Sequence, residues 1–584
     1  VEGSFEVRRK LGRDEVGWCR ARTAAVSVLN VLCSMSVMEQ QNQSLKEENA
    51  QLYAQIRALS RRLAAGSAGV GYPLELVAGL RTLECPMSVM TDSYKAGHFL
   101  MYPEAKSMSA YGEFRQPYPD MNDNRFVFFG IRHYIENFVS RKWTISDVEA
   151  AEAFYKTHNA GSTPYPFPKH LFMKFITEND GYFPVTIEAL PEGSVAYPHT
   201  PCFIITAEDD YSRLCTFLET ILTMVWYPSC VATLSRYTRD LVEAAFNTSV
   251  DEDKMFLIPS RLHDFGFRGC ATVEQSVLGG SAHLLSFEGS DTCSACYHAQ
   301  FHLNGGRPVG SSIPATEHSV MTAWPSEKEA ILNAIDQFGD GPFSCVMDSY
   351  DYDNALDCVL PEIAAAKSAK SGTLVLRPDS GDPTEQVLKA LKAAEKTFGS
   401  TTNSKGFKVL NGMAVMQGDG INYAVVKEIL AATLREGYSA DNVVFGMGGG
   451  LLQKCNRDTM SFATKLSHIT YATGEHRDVM KTPKTSSAKT SLPGRLFVGR
   501  NPETGGPMVY PAGDAACEGV ENIMKVVYDK RPIAGVFEDF DTVKARLNAQ
   551  WQTVKADGNA ISPQLQDKIN SILRERGWKL DGDA

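Results

Sequence analysis

Between residues 260 and 450 the chain repeats one pattern: a short apolar run, then a cluster of charged, glycine or serine residues. The first instances are Leu262-His263-Asp264-Phe265-Gly266, Leu285-Ser286-Phe287-Glu288-Gly289-Ser290-Asp291 and Cys345-Val346-Met347-Asp348-Ser349. Leu374-Val375-Leu376-Arg377-Pro378-Asp379-Ser380, Ala414-Val415-Met416-Gln417-Gly418-Asp419-Gly420 and Val443-Val444-Phe445-Gly446-Met447-Gly448-Gly449-Gly450 follow. Helix-like segments, such as Pro383 to Lys396 and Tyr423 to Glu436, lie between several of them. Continuous apolar runs mark buried parallel strands, and α/β folds gather their chemistry at the C-terminal ends of such strands. One such turn would mean only a polar loop. Six in succession predict an α/β barrel or barrel-like sheet whose site is lined by strand ends.

A different period occupies the region before the globular part. Met38, Leu45, Leu52 and Leu59 fall seven apart, with Asn42, Asn49, Ile56 and Leu63 four residues after each. This is the d/a spacing of a short coiled coil, and asparagine at an a position specifies parallel pairing. The run is near the length at which a lone helix becomes marginal, so a single solvated helix is the competing reading. Ala64-Ala65-Gly66-Ser67-Ala68-Gly69 then reads as a linker.

A chain of 584 residues exceeds one ordinary core. Its apolar share of 43% and charged share of 22% are those of a soluble globular protein. The formal charge of −11 argues against a nucleic-acid binder. It leaves room for phosphorylated metabolites, which need only a few well-placed cations and backbone N–H groups. Cys293 and Cys296 form the one CxxC, with no second pair at zinc-ligand spacing, so reduced thiols in a cytoplasmic compartment are expected. No apolar run reaches bilayer length, and no membrane role is expected. Ala24 to Met38, preceded by six basic residues, loosely resembles a targeting peptide, although Glu2, Glu6, Asp14 and Glu15 oppose that reading.

Within the repeated pattern, Gly446-Met447-Gly448-Gly449-Gly450 follows a strand and precedes a helix, the arrangement that lets backbone N–H groups approach an anion. Arg457 and Lys465 downstream are candidate phosphate partners. His318, beside Glu317 and with Asp348 at another strand end, is a candidate proton or phosphoryl acceptor. Asp264-Phe265-Gly266 mimics a kinase metal motif, but no catalytic loop or strand lysine accompanies it.

Six motifs together carry a resemblance. Thr91-Asp92-Ser93-Tyr94-Lys95, His263-Asp264-Phe265-Gly266-Phe267-Arg268-Gly269 and Ala315-Thr316-Glu317-His318-Ser319 come first. Arg377-Pro378-Asp379-Ser380-Gly381, Gln417-Gly418-Asp419-Gly420 and Gly448-Gly449-Gly450-Leu451-Leu452-Gln453-Lys454 follow in order. From about residue 86 onward the chain resembles the nicotinamide phosphoribosyltransferases. The resemblance implies a type II phosphoribosyltransferase fold, with an α/β barrel-like domain and a sheet-rich domain drawn from both flanking segments. The expected organisation is an unassigned extension (1–36), a coiled-coil-like helix (37–66), a linker (67–85), the first part of the sheet-rich domain (86–250), the barrel-like domain (251–470) and the completing part (471–584).

The resemblance also implies a homodimer with two active sites at its interface. Phe265, with Tyr94 of the partner subunit, would sandwich a pyridine ring whose carboxamide lies between Arg268 and Asp291. Asp379, Gly418 and Asp419 match the ribose positions, and Arg377, Gly448, Gly449 and Arg457 those around the phosphate. Arg115, Lys465 and Lys481 match a basic cluster for pyrophosphate and the phosphates of ATP. His318, with Glu317 and with Asp348 orienting it, matches a histidine phosphorylated by ATP as co-substrate. The implied substrates are nicotinamide and phosphoribosyl pyrophosphate, with Mg²⁺ as cofactor and no protein ligand assigned to it. Ala463 stands where the family has a serine, and Leu492-Pro493 replaces a more basic stretch. The rival readings are a nicotinate-preferring enzyme, which Asp291 opposes by charge, and a non-catalytic interaction protein on the same fold.

Overall fold

Parallel strands Leu262–Asp264, Gly289–Ser290, Phe343–Val346, Leu374–Arg377, Met413–Gln417 and Val443–Met447 form one six-stranded sheet of the computed structural model. The structure describes residues 85–483 and 490–577; the heptad segment and the extension before it lie outside the described residues. In space the strands run in the order Gly289–Ser290, Leu262–Asp264, Val443–Met447, Met413–Gln417, Leu374–Arg377, Phe343–Val346. The two edges do not stay open. The intervening segment pairs in parallel with both, through Gly289 with Ser311 and Ala315 with Ser344. Ser311 N–H donates to Glu288 at 2.7 Å, and Thr316 N–H donates to Ser344 at 3.0 Å. This closes the sheet into a barrel.

Alternation along each strand sorts side chains between the barrel's two faces. Leu374, Leu376, Met413, Val415, Val443 and Phe445 join the main core outside it. Val375, Ala414, Met416 and Val444 form a separate cluster with Phe265 and Ile313 packed on it. That cluster is the barrel interior. Helices between the strands are capped as their sequences dictate. Asp382 accepts the Glu385 N–H to start Pro383–Phe398, and Gly399 ends it with a φ of 78°. Asn422 accepts two N–H groups to start Tyr423–Arg435.

The second large sheet is antiparallel, ordered His476–Asp478, Ala463–Tyr471, Ala105–Glu113, Pro201–Glu208, Val185–Ala189, Lys525–Asp529. Both flanks of the barrel segment supply it. One expectation is corrected here: Ala463–Tyr471, assigned from sequence to the end of the 251–470 barrel region, belongs to this sheet, paired with Ala105–Glu113. Its polar-rich sequence, with Thr464, Lys465, Ser467, His468 and Thr470, lacks the continuous apolar run of strands such as Val443–Met447. Among the described residues, no helix is long and apolar enough to cross a membrane.

Candidate active site

Phe265 follows directly on the strand Leu262–Asp264, and its N–H donates to Met447 O at 3.1 Å. Its ring lies in the barrel mouth over two glycines. A Cβ on Gly446 would fall 2.1 Å from Phe265 Cε2, and one on Gly418 3.0 Å from the same atom. Both glycines continue the inward-facing series, Val444 to Gly446 and Ala414 to Met416 to Gly418, so they are the space in which the ring sits. The turn is held from behind. Asp264 Oδ1 accepts the Gly266 N–H at 2.7 Å, while Oδ2, set against Gly280, has no partner. Burial, with Asp291 adding and Gly266 and Thr292 subtracting, pushes the Asp264 carboxyl up to about 6.

On the adjacent strand end stands Asp291. Its Oδ1 accepts the Ser312 hydroxyl and lies 3.7 Å from His263 Nδ1. Burial alone would raise this carboxyl; hydrogen bonds from His263 and Ser312, and the charges of His263 and Arg377, outweigh it and hold Asp291 below its ordinary value. An anion therefore stands at the end of the strand that pairs with the one leading into Phe265. His263 and Ser312 were not singled out in the sequence. The His-Asp-Phe-Gly motif placed His263 on the same inward face as Phe265, which is the signal that could have found it.

His318 opens the helix His318–Ala323, immediately after the segment that closes the barrel. Its Nδ1 is 3.2 Å from Ser349 Oγ, and its Nε2 is 3.3 Å from Asp379 Oδ2 and 4.0 Å from Asp348 Oδ1. Asp379, expected at ribose, is here also the carboxylate nearest the imidazole, and Asp348, expected to orient it, stands farther off. Asp348 Oδ2 accepts the Asp379 N–H at 3.0 Å and the Ser380 hydroxyl at 2.5 Å, while its buried Oδ1 has no hydrogen bond. Glu317 does not reach the histidine through any hydrogen bond; it accepts the Ser319 hydroxyl. The reason is local: it is the residue before the helix, and its side chain turns to the first-turn serine.

The remaining strand ends complete this half of the site. Arg377 is 4.0 Å from Asp379, and its buried Nε lacks a hydrogen bond. Asp419 is exposed after Met413–Gln417. Gly448 precedes the short helix Gly449–Leu452, and a Cβ there would come within 3.2 Å of Phe265 O. Arg268 is exposed beyond the Phe265 turn.

The other expected residues assemble elsewhere. Lys465 lies on Ala463–Tyr471, and Arg115 follows Ala105–Glu113 with its Nε donating to Ser461 O at 3.1 Å. Burial, opposed by Glu219 and Glu113 and reinforced by Arg115 and Lys481, holds the Lys465 ammonium below its ordinary value. Three cations crowded in this way are stabilised by an added anion. Arg457 pairs with Asp458 at 3.6 Å and is near enough to Tyr94 to oppose the rise of its phenol that burial, Glu219 and Asp92 produce. Tyr94 is 52% exposed, and its ring neighbour is His98, not Phe265. Among the described residues, no hydrogen bond, ion pair or ring contact joins the barrel-mouth group to this basic group. The expected residues thus fall into two groups.

Residues 260–531 match the nicotinate phosphoribosyltransferase (NAPRTase) family, and residues 86–187 match the N-terminal domain of nicotinamide phosphoribosyltransferase. The nicotinamide phosphoribosyltransferase of Xanthomonas campestris pv. campestris (strain 8004) is 39% identical over 426 residues, 71% of this chain and 88% of that protein. The protein of the same name from Mycoplasma pneumoniae is 30% identical, covering 69% and 94%. Among solved structures, human nicotinic acid phosphoribosyltransferase aligns with a TM-score of 0.54 at 17% identity, over 82% of this chain and 99% of that one. The nicotinate-nucleotide pyrophosphorylase of Pyrococcus furiosus gives 0.53 at 14%, over 82% and 98%. These two likenesses concern the fold alone, which is that of the type II phosphoribosyltransferases.

Proposed function

Because the chain belongs to the nicotinamide phosphoribosyltransferase family, we propose that it joins nicotinamide to phosphoribosyl pyrophosphate, releasing pyrophosphate and forming nicotinamide mononucleotide for NAD salvage. The observation that carries the choice of pyridine is Asp291, a carboxyl held below its ordinary value on the strand end next to that of Phe265. A carboxamide offers this carboxylate an N–H donor. Nicotinate offers only acceptors and a second negative charge. The match of residues 260–531 to the nicotinate family keeps the acid as the rival substrate, and charge decides against it.

Phe265, seated over Gly446 and Gly418, presents a flat face on which the ring stacks, holding its nitrogen toward the ribose. Breaking the ribose–pyrophosphate bond builds positive charge on the sugar and negative charge on the leaving group. Arg115, Lys465 and Lys481 are fixed cations suited to the latter. They lie in the other group, as does Tyr94, so the reading requires a homodimer. Tyr94 of the partner subunit then covers the second ring face while the basic cluster receives the pyrophosphate.

Among the described residues, no group of three or more His, Cys, Asp or Glu side chains could hold a metal. Mg²⁺ suits such a site because it is commonly held by substrate phosphates with one or two carboxylates. Asp379 and Asp419 are the carboxylates present at the ribose end. When bound, the ion would neutralise charge on the diphosphate.

His318 supplies the coupling to ATP. The bond from the γ-phosphorus to the bridging oxygen breaks, a P–N bond forms on the imidazole, and ADP leaves; later hydrolysis returns phosphate. Ser349 and Asp379 hold the ring at its two nitrogens, and at 46% exposure the side chain remains within reach of a nucleotide. The test is product analysis with phosphoribosyl pyrophosphate, Mg²⁺ and either pyridine, with and without ATP. Nicotinamide mononucleotide, increased by ATP, is expected. Equal use of nicotinate would sink the amide reading, and no product from either would sink the enzymatic one.

A further inference from the structure

Gln453 directly follows the short helix Gly449–Leu452, and its own N–H donates to Gly449 O at 3.1 Å. Its side chain leaves that segment and crosses to the turn that carries Phe265. Gln453 Nε2 donates to Gly266 O at 2.8 Å and to Cys270 Sγ at 3.1 Å. A carbonyl only accepts, so the amide must present its nitrogen to Gly266. Its oxygen then lies against Gly269, where a Cβ would fall 2.7 Å from Gln453 Oε1. Gly266 likewise lets the two segments approach, since a Cβ there would fall 2.6 Å from Leu452 Cδ1.

The two ends of this link are held unequally. The glycine segment has anchors of its own: Leu452 is fully buried, and its O accepts the Tyr227 hydroxyl at 3.0 Å and the Gln275 amide at 3.4 Å. The turn is fixed to the barrel on its near side, where Phe265 N–H donates to Met447 O and Gly266 N–H to Asp264. On its far side the Gly266 carbonyl accepts the Gly269 N–H at 3.1 Å and the Cys270 thiol at 3.5 Å, both of which belong to the same turn and move with it. Among the described residues, Gln453 is the one donor that reaches this carbonyl from outside the turn.

We propose that Gln453 is a positioning residue for Phe265: its amide fastens the turn after the ring to the Gly448–Leu452 segment and so fixes the face on which the pyridine stacks. The proposal deepens the nicotinamide reading above and rests on it for the substrate; the placement of the ring does not. Without the amide, the turn has to be ordered when the pyridine binds, and that ordering is subtracted from affinity. The glycine segment keeps its Tyr227 and Gln275 anchors, so binding of phosphoribosyl pyrophosphate is unaffected.

Gln453→Met tests this, because it keeps the length of the side chain and removes the donor. In the full-length protein labelled with 4-fluorophenylalanine, the Phe265 ¹⁹F signal is assigned by its loss in Phe265→Leu. Gln453→Met is expected to shift or broaden that signal and to raise the KM for nicotinamide on the order of tenfold, the size of one lost hydrogen bond. The KM for phosphoribosyl pyrophosphate and kcat at saturation should stay within about twofold of wild type. Cys270→Ala removes only the sulfur contact and should leave all of these values near wild type; a change as large as that of Gln453→Met would overturn the assignment to Gly266 O.

A KM for nicotinamide within about twofold of wild type overturns the proposal, and so does an equal rise in both KM values, which a site loosened as a whole would give. If the methionine variant does not fold, Gln453→Glu at pH 8 decides. A carboxylate of the same shape cannot donate to Gly266 O, so the same split between the two KM values supports the proposal and its absence overturns it. A wild-type enzyme that forms no nicotinamide mononucleotide would remove the substrate reading. The ¹⁹F arm then decides the role of Gln453 alone: a moved Phe265 signal supports it, and an unmoved one overturns it.

Discussion

Replacing Asp291 with serine separates recognition of an amide from a merely structural carboxylate. Asp291 Oδ1 is engaged by Ser312 and faces His263, which leaves Oδ2 for an amide N–H. For nicotinamide, losing that bond costs about 1–3 kcal/mol. For nicotinate, the substitution removes a repulsion that would reach about 4 kcal/mol between unit charges 4 Å apart at an effective dielectric of 20. The side chain is 40% exposed, so solvent screening reduces that repulsion to roughly 1–2 kcal/mol. The two changes have opposite signs for the two substrates and therefore add in their ratio. The kcat/KM preference for nicotinamide is expected to fall on the order of 10² to 10³ in Asp291→Ser. Exposed Arg268 is then available to pair with the acid. The assay compares kcat/KM for both pyridines at saturating phosphoribosyl pyrophosphate and ATP, with the melting temperature recorded for each variant. A folded Asp291→Ser enzyme whose ratio stays within about threefold of wild type would show that Asp291 does not read the amide.

His318→Ala should abolish ATP hydrolysis and the ATP-dependent gain in product while slow ATP-independent transfer survives; chromatography of ADP and product measures both, and full ATP stimulation would refute the assignment. Asp264, with its carboxyl pushed up to about 6 from an ordinary 3.8, favours folding below pH 3.8 and loses that contribution as pH rises through 6. Asp264→Asn still accepts the Gly266 N–H, so it should raise the melting temperature more at pH 8 than at pH 5, and equal gains at both would contradict the burial argument. Gly446→Ala places a methyl where the Phe265 ring lies and should raise the KM for nicotinamide on the order of tenfold at nearly unchanged melting temperature. Unchanged KM would mean that the ring does not bear on the substrate.

The parts of this site legible in the sequence are those set by short-range pattern. Five of the six apolar runs ending in polar clusters located parallel strands, with Phe265, Asp348, Arg377, Asp379 and Asp419 at their ends; the exception is Leu285-Ser286-Phe287, a turn after the helix Val273–His283, and the strand before Asp291 is Gly289–Ser290, within the polar cluster itself. What was not legible depends on pairing between distant segments. Ser311–Ala315 closes the barrel through one bridge at each edge, and its Ser-Ser-Ile-Pro-Ala sequence has neither alternation nor an apolar run. Ala463–Tyr471 follows the last barrel strand closely in sequence, yet one of its two partners, Ala105–Glu113, lies far upstream, before the barrel. Glu327 reads as an ordinary first-turn glutamate, because only the fold reveals that it is buried. The hierarchy around His318 was likewise set by the fold: Asp348 ties two loops together, and Asp379 approaches the ring.

The antiparallel sheet imposes an order on biosynthesis. Its strand Ala105–Glu113 pairs on one side with Pro201–Glu208 but on the other with Ala463–Tyr471, about 350 residues later. At ribosomal rates of 5–20 residues per second, that second edge waits roughly 20 to 70 s for its partner. The barrel is synthesised complete in the meantime, while an unpaired strand edge, a template for association with other nascent chains, stays open beside it. The strand that covers this edge also carries Lys465, so the basic group around that residue forms only once this pairing has been made. Pairing across so long a separation is intrinsically slow.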